Sequence, residues 1–202
     1  MDYRQVVVLL ALSCMIALSE AQDPPVARPR PEVAIFAGGR FWCMQPPFDK
    51  VPGVIKTDVG YCGGTEPSPT YEAVSSGKTT YRESIEITYD PATISYAQLI
   101  EIYWRQIDPT QSNGQFKDLG QAYRTAIFYQ NDREKQIAEI TKDKLQHSGK
   151  FKRPVVTEIL PATKFYPAEA SHQKYYLQHP EQFAEFEKTS GRDSFRKREW
   201  SE

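Results

Sequence analysis

Val33-Ala34-Ile35-Phe36-Ala37-Gly38-Gly39-Arg40-Phe41-Trp42-Cys43-Met44-Gln45-Pro46-Pro47-Phe48 is the stretch on which the reading of this chain turns. Its first five residues are an unbroken apolar run of strand length, which reads as a short buried strand. Gly38 and Gly39 then permit a sharp strand-to-helix turn and a close approach of backbones. The aromatic pair Phe41-Trp42 follows where the first helical turn begins. A helix N-terminus beside an aromatic wall is the layout of a chemical site, because the helix dipole favours an anion there. The residue standing at that point is Arg40.

Working outward, strand-like runs fall at 33–37, 55–61, 84–89, 125–129 and 155–160. The third alternates, with Ile85, Ile87 and Tyr89 on one face and Glu86 and Thr88 on the other, and Asp90-Pro91 closes it. Helical patterns lie between the strands. Ser95 is suited to cap a helix over 96–106 whose apolar stripe is Leu99, Ile100, Ile102, Tyr103 and Ile107. A second helix over 132–147 turns Ile137, Ile140 and Leu145 inward and ends at Gly149. A third starts after Pro167 and carries Tyr175, Tyr176 and Leu177. Strands alternating with helices predict an α+β chain, an α/β two-layer sandwich. It has a single mixed sheet, helices packed against it and a ferredoxin-like split βαβ core. Irregular segments at 62–82 and 108–124 are long enough to be functional loops.

The ends read differently. Arg4 gives a positive start, offset by Asp2, to an apolar run over 6–18 that is too short to cross a bilayer comfortably. Ser19-Glu20-Ala21 supplies small residues for cleavage after Ala21, so 1–21 is read as a signal peptide and the protein as secreted or periplasmic. An uncleaved anchor is the alternative. Residues 22–31 form a Pro-rich linker, 32–190 a single domain, and 191–202 a charged tail expected to fray. A net charge of -1 provides no basic face, so nucleic acid is not expected as a partner. After cleavage only Cys43 and Cys62 remain, and these could pair in a disulfide. His147, His172 and His179 form no Cys/His cluster, so no metal site is read.

Gly39-Arg40-Phe41-Trp42 resembles the Gly-Cys-Phe-Trp signature of the peptide methionine sulfoxide reductase A family. Further motifs follow in that family's order. They are Gly60-Tyr61-Cys62-Gly63-Gly64, Pro69 to Val74 with Ser76-Gly77, and Thr80-Tyr81-Arg82-Glu83. Asp118-Leu119-Gly120-Gln121-Ala122-Tyr123-Arg124 and Phe165-Tyr166-Pro167-Ala168-Glu169 with His172-Gln173 complete the series. The resemblance implies thiol-dependent reduction of methionine S-sulfoxide, free or in proteins, as oxidative-damage repair. It implies no metal or organic cofactor. The implied partner is a thioredoxin-like dithiol, for which dithiothreitol can substitute, acting on a monomer off the membrane.

The same resemblance assigns roles. A thiolate attacks sulfur and becomes a sulfenic acid as methionine leaves. Glu83 would be the acid at the sulfoxide oxygen, its pKa raised by burial among rings. Tyr61 and Tyr123 would donate hydrogen bonds, Phe41 and Trp42 would hold the S-methyl group, and Asp118 would orient a tyrosine or water. His172 reads as structural. The family nucleophile, however, is a cysteine at the position of Arg40. A guanidinium is always protonated and offers no nucleophilic lone pair. The expectation is therefore an intact fold with sulfoxide reduction absent or very weak, and a neighbour such as Glu83 could compensate the Arg40 charge. Cys43, one helical turn on, and Cys62 are the thiols that could substitute. The alternative is a catalytically silent secreted module that binds oxidised methionine or another methylated ligand.

Overall fold

The computed structural model describes residues 30–200, so the expected signal peptide and nearly all of the Pro-rich linker lie outside the described residues. The chain runs β1 (Glu32–Ala37), α1 (Phe41–Asp49), β2 (Val54–Cys62), α2 (Tyr71–Ser75), β3 (Arg82–Tyr89) and α3 (Tyr96–Arg105). It continues through β4 (Gly114–Gln115), β5 (Asp118–Leu119), β6 (Ala126–Tyr129), α4 (Asp132–His147), β7 (Glu158–Pro161) and β8 (Tyr166–Pro167). The helices α5 (Tyr175–Gln178), α6 (Pro180–Ser190) and α7 (Arg192–Trp200) end it.

Six strands form one sheet in the order β7-β6-β1-β3-β2-β8. Only β6 and β7 run parallel, and the other neighbours are antiparallel. The central four strands, β6-β1-β3-β2, with α1 and α3 as crossovers, are the expected ferredoxin-like core. A separate two-stranded ribbon of β4 and β5 sits in the segment read as a loop.

Both faces of β1 are covered, which is why it reads as a continuous apolar run and not an alternation. Ala34 and Phe36 pack toward α1, α3 and α4 with Met44, Phe48, Leu99, Ile100 and Tyr103. Ile35 and Ala37 pack on the opposite face with Ala126 and Phe128. Ser95 caps α3 in a reciprocal capping box with Gln98. Asn131 caps α4, and Gly149, at φ 73, follows its end.

Three expectations change. Ile140 does not face inward; it is 47% exposed, and Ala138 takes the buried position on α4. The single helix expected after Pro167 becomes a 3-10 turn at Ala170–His172, the one-turn α5 and the longer α6, and Leu177 is exposed. The described part of the tail, residues 191–200, does not fray: α7 is a helix that buries Arg192 and Phe195, with Phe195 on Phe116 and Phe151. Its charge pattern hides this anchoring, because the buried positions include an arginine.

Candidate active site

β1 delivers the chain to Gly38-Gly39. Gly39 sits at φ +85, and a Cβ there would meet Gln115 Cβ at 2.8 Å and Arg192 Nη2 at 2.9 Å. At Gly38 a Cβ would lie 2.6 Å from Met44 Sδ. The turn is thus glycine by conformation at one residue and by space at both. Arg40 becomes the N-cap of α1, with φ -60 and ψ 126, and makes no capping hydrogen bond with its side chain.

The period of two along the strands fixes what lies below. Tyr61 on β2 is the register partner of Glu83 on β3, so the two stand side by side beneath the start of α1. The Phe41 backbone N–H donates to Glu83 Oε2 at 3.1 Å, while Glu83 Oε1 is buried without a partner. Burial pushes the Glu83 carboxyl up to about 8; the Phe41 N–H and the Arg40 charge pull the other way and only partly offset it. Glu83 is therefore a proton-carrying acid at neutral pH.

Arg40 turns across this site. Its Nε donates to Asp118 Oδ1 at 2.9 Å, and its Nη1 donates to the Tyr71 hydroxyl at 3.1 Å. The guanidinium carbon lies 5.0 Å from the ring centre of Tyr123, 5.4 Å from Trp42 and 5.7 Å from Phe186. Such ring contacts attract a cation through the quadrupole of the π face. Burial is the largest single influence and works against the charge, but Asp118, Tyr123, Glu83 and Tyr71 together outweigh it and raise the Arg40 pKa. The ion pair thus forms with Asp118 and not with Glu83. Asp118 comes from the β4–β5 ribbon, which carries it close to the start of α1.

The segment from β8 to α5 closes the other side. Gln173 accepts from Val59 N at 2.9 Å and donates to Val59 O at 2.8 Å, which fastens the segment to β2. Glu169 accepts from the Tyr61 hydroxyl at 2.8 Å and from Tyr71 N at 3.1 Å. The Tyr61 hydroxyl, read from sequence as a donor to the substrate oxygen, donates to Glu169 in this structure. Trp42 Nε1 donates to His172 Nδ1 at 3.2 Å, and Trp42 stacks on Tyr175 at 4.3 Å. Burial lowers the His172 pKa against an opposing pull from Glu169, so the ring is a neutral acceptor. Tyr123 is pushed up to about 12, chiefly by burial, and stays a neutral phenol.

Arg40, Phe41, Trp42, Tyr61, Glu83, Asp118 and Tyr123 are thus gathered at one place. Cys43 and Cys62 are not among them. Cys43 is 2% exposed, and its thiol is pushed up chiefly by burial, with Arg192 and Glu187 as its charged neighbours. Cys62 is buried on the other face of the sheet, with Thr163 3.6 Å from its sulfur. Both thiols are free, so the disulfide allowed by the sequence does not form. Tyr71, Glu169 and Phe186 belong to the site and were not singled out. Tyr71 and Glu169 lie inside recognised motifs, whereas Phe186 on α6 carries no local signal.

Residues 32–202 match the family model described as peptide methionine sulfoxide reductase. A peptide methionine sulfoxide reductase MsrA of Bacillus licheniformis is 52% identical over 169 residues, covering 84% of this chain and 93% of the relative. That of Bacillus subtilis is 48% identical, covering 84% and 96%. Among solved structures, Mxr1 from Saccharomyces cerevisiae in reduced form aligns with a TM-score of 0.69 at 30% identity, over 75% of this chain and 87% of that one. Methionine sulfoxide reductase A of Corynebacterium diphtheriae aligns at 0.66 and 33%, over 76% and 77%.

Proposed function

The chain belongs to the peptide methionine sulfoxide reductase family, and from that premise we propose that it is a reductase scaffold whose own turnover of methionine S-sulfoxide is absent or very weak. One observation carries the reading. Arg40 stands at the N-terminus of α1 where a thiolate would attack, and it is held there by Asp118, Tyr71 and three rings.

The rest of the site suits the reaction. Reduction needs a nucleophile at sulfur, a proton at oxygen and a pocket for the methyl group. Neutral Glu83 supplies the proton, and the rings of Phe41 and Trp42 supply the apolar wall. A thiol at position 40 would take the oxygen as a sulfenic acid and release methionine. An external dithiol would then reduce the sulfenic acid to thiol and water while becoming a disulfide. A thioredoxin-like protein fits that role, and the N-terminal run suits a secreted or periplasmic setting. Burial argues against Cys43 as a stand-in: it lies in the first turn of α1, but it is 2% exposed and its thiol is pushed up. The module that binds oxidised methionine without turnover is disfavoured, since Arg40 itself occupies the aromatic box.

The test is dithiothreitol-driven reduction of a peptide methionine S-sulfoxide by the purified chain, with Arg40→Cys beside it. Silence in the parent with turnover in the variant supports the reading. Turnover in the parent would mean that another group is the nucleophile and would overturn it.

A further inference from the structure

Arg40 does more than displace a nucleophile, because its guanidinium is held as a bound ligand would be. The rings of Tyr123, Trp42 and Phe186 stand 5.0, 5.4 and 5.7 Å from its central carbon. Asp118 Oδ1 accepts from its Nε at 2.9 Å, and the Tyr71 hydroxyl oxygen accepts from its Nη1 at 3.1 Å. Three π faces, a carboxylate and a hydroxyl acceptor form a box complementary to a planar cation with N–H donors. The side chains of Arg40 and Asp118 are only 22% and 15% exposed, so the pair is shielded from bulk water. The walls of the box have supports of their own. The Trp42 indole is held by its hydrogen bond to His172 and its stack on Tyr175. Phe186 meets Trp42 edge-on at 6.4 Å, and the Tyr71 backbone N–H is fastened to Glu169. Asp118 is set by its ladder pairing with Gln115.

We propose that this site is a guanidinium-binding box in which Arg40 is a tethered ligand, and that an alkylguanidinium is the class of free ligand it takes once Arg40 is out. The inference rests on the reading that Arg40 fills the reductase pocket, but on no step of the reduction. The chemistry of the box selects the ligand. A neutral molecule leaves the Asp118 carboxylate without a counter-charge. An ammonium has the charge but lacks the planar fork that reaches Asp118 and Tyr71 from two different nitrogens. A tethered group acts at a high effective concentration, so the parent chain is closed to a free competitor.

Arg40→Ala removes the side chain beyond Cβ, and ethylguanidinium restores the missing atoms. Arg40→Cys restores the residue found in the family signature, and methylguanidinium fills what remains. Each full-length variant would be titrated with its guanidinium by calorimetry at fixed ionic strength, beside the parent, with circular dichroism as the check on folding. Saturable binding is expected in both variants, at least tenfold tighter than in the parent. It should also be at least tenfold tighter than binding of the matching alkylurea, which is the neutral isostere, and of the matching alkylammonium. Adding Asp118→Asn to either variant should weaken it at least tenfold. No saturable binding by a folded variant, equal binding of the alkylurea or the alkylammonium, equal binding by the parent, or indifference to Asp118→Asn would each overturn the proposal. The readout is binding alone, so failure of Arg40→Cys to turn over a sulfoxide counts against the reductase reading only.

Discussion

Glu83 links the chemistry of the site to the stability of the chain. Its carboxyl moves from an ordinary 4.5 to about 8 on folding. Between those values the folded state holds a proton that the unfolded state has lost. The stability from this group is therefore complete below pH 4.5 and is lost as pH rises through about 8, at about 1.4 kcal/mol per pH unit. Glu83→Gln should be more stable than the parent at pH 8 and close to it at pH 4.5, read as urea midpoints. Equal slopes against pH in parent and variant would refute a raised carboxyl. In Arg40→Cys the nearby positive charge is gone, so the acid limb of its turnover should fall only above about pH 8. The Arg40–Asp118 pair is testable in the same background. Asp118→Asn should cost the parent about 1–2 kcal/mol, since both side chains are largely buried. In Arg40→Cys the same change should cost little, and a double-mutant cycle measures the difference. Glu83, Phe41, Trp42 and Tyr123 were legible in the sequence because each sits in a short motif. The partner of Arg40 was not, because it depends on a ribbon whose strands are two residues long.

At the scale of elements, the part misread most was the C-terminal helix. α7 reads as a charged tail, yet Arg192 is 2% exposed and reaches back to the turn before α1. Its Nη2 donates to Gly38 O at 2.8 Å, its Nη1 donates to Gln106 O, and its guanidinium lies 4.9 Å from the ring centre of Phe116. One side chain thus ties α7 to the end of α3 and to the turn that aims residue 40. The sequence could not display this, because an arginine in a basic run looks solvated until its carbonyl acceptors are placed. Arg192→Ala would leave two buried carbonyls short of their donors, so a loss of about 2–4 kcal/mol is expected. In the Arg40→Cys background it should also lower turnover by loosening the turn. A urea midpoint showing a loss below about 0.5 kcal/mol would mean that the tie is dispensable. By contrast, α3 and α4 were legible almost to the residue, since a capping box and an Asn cap mark their starts. Ile140 was the exception: helical periodicity placed it inward, but α4 packs through Ala138 and leaves Ile140 exposed.

For the whole molecule, the two-layer packing decides the fate of the thiols. Cys43 lies between α1 and the C-terminal helices, and Cys62 lies on the opposite face of the sheet among Ala37, Ala126 and Phe128. The sheet therefore separates the two sulfurs, and both residues are buried. Burial pushes both thiols up, so neither presents a thiolate at neutral pH. Sequence spacing could not reveal this, because whether two cysteines meet depends on which face of a sheet each one takes. The consequence is measurable without any substrate. In the native chain a disulfide reagent such as 5,5′-dithiobis(2-nitrobenzoate) should react only as fast as the protein opens, and dithiothreitol should leave the melting temperature unchanged. In guanidinium the count should be two thiols if residues 1–21 have been removed and three if Cys14 is retained. A single fast thiol in the native state would mean that Cys43 or Cys62 is reachable. A displaced nucleophile would then return as an explanation for any turnover by the parent chain. Protection of both, together with activity only in Arg40→Cys, would locate the chemistry at the first residue of the α1 cap and nowhere else in the fold.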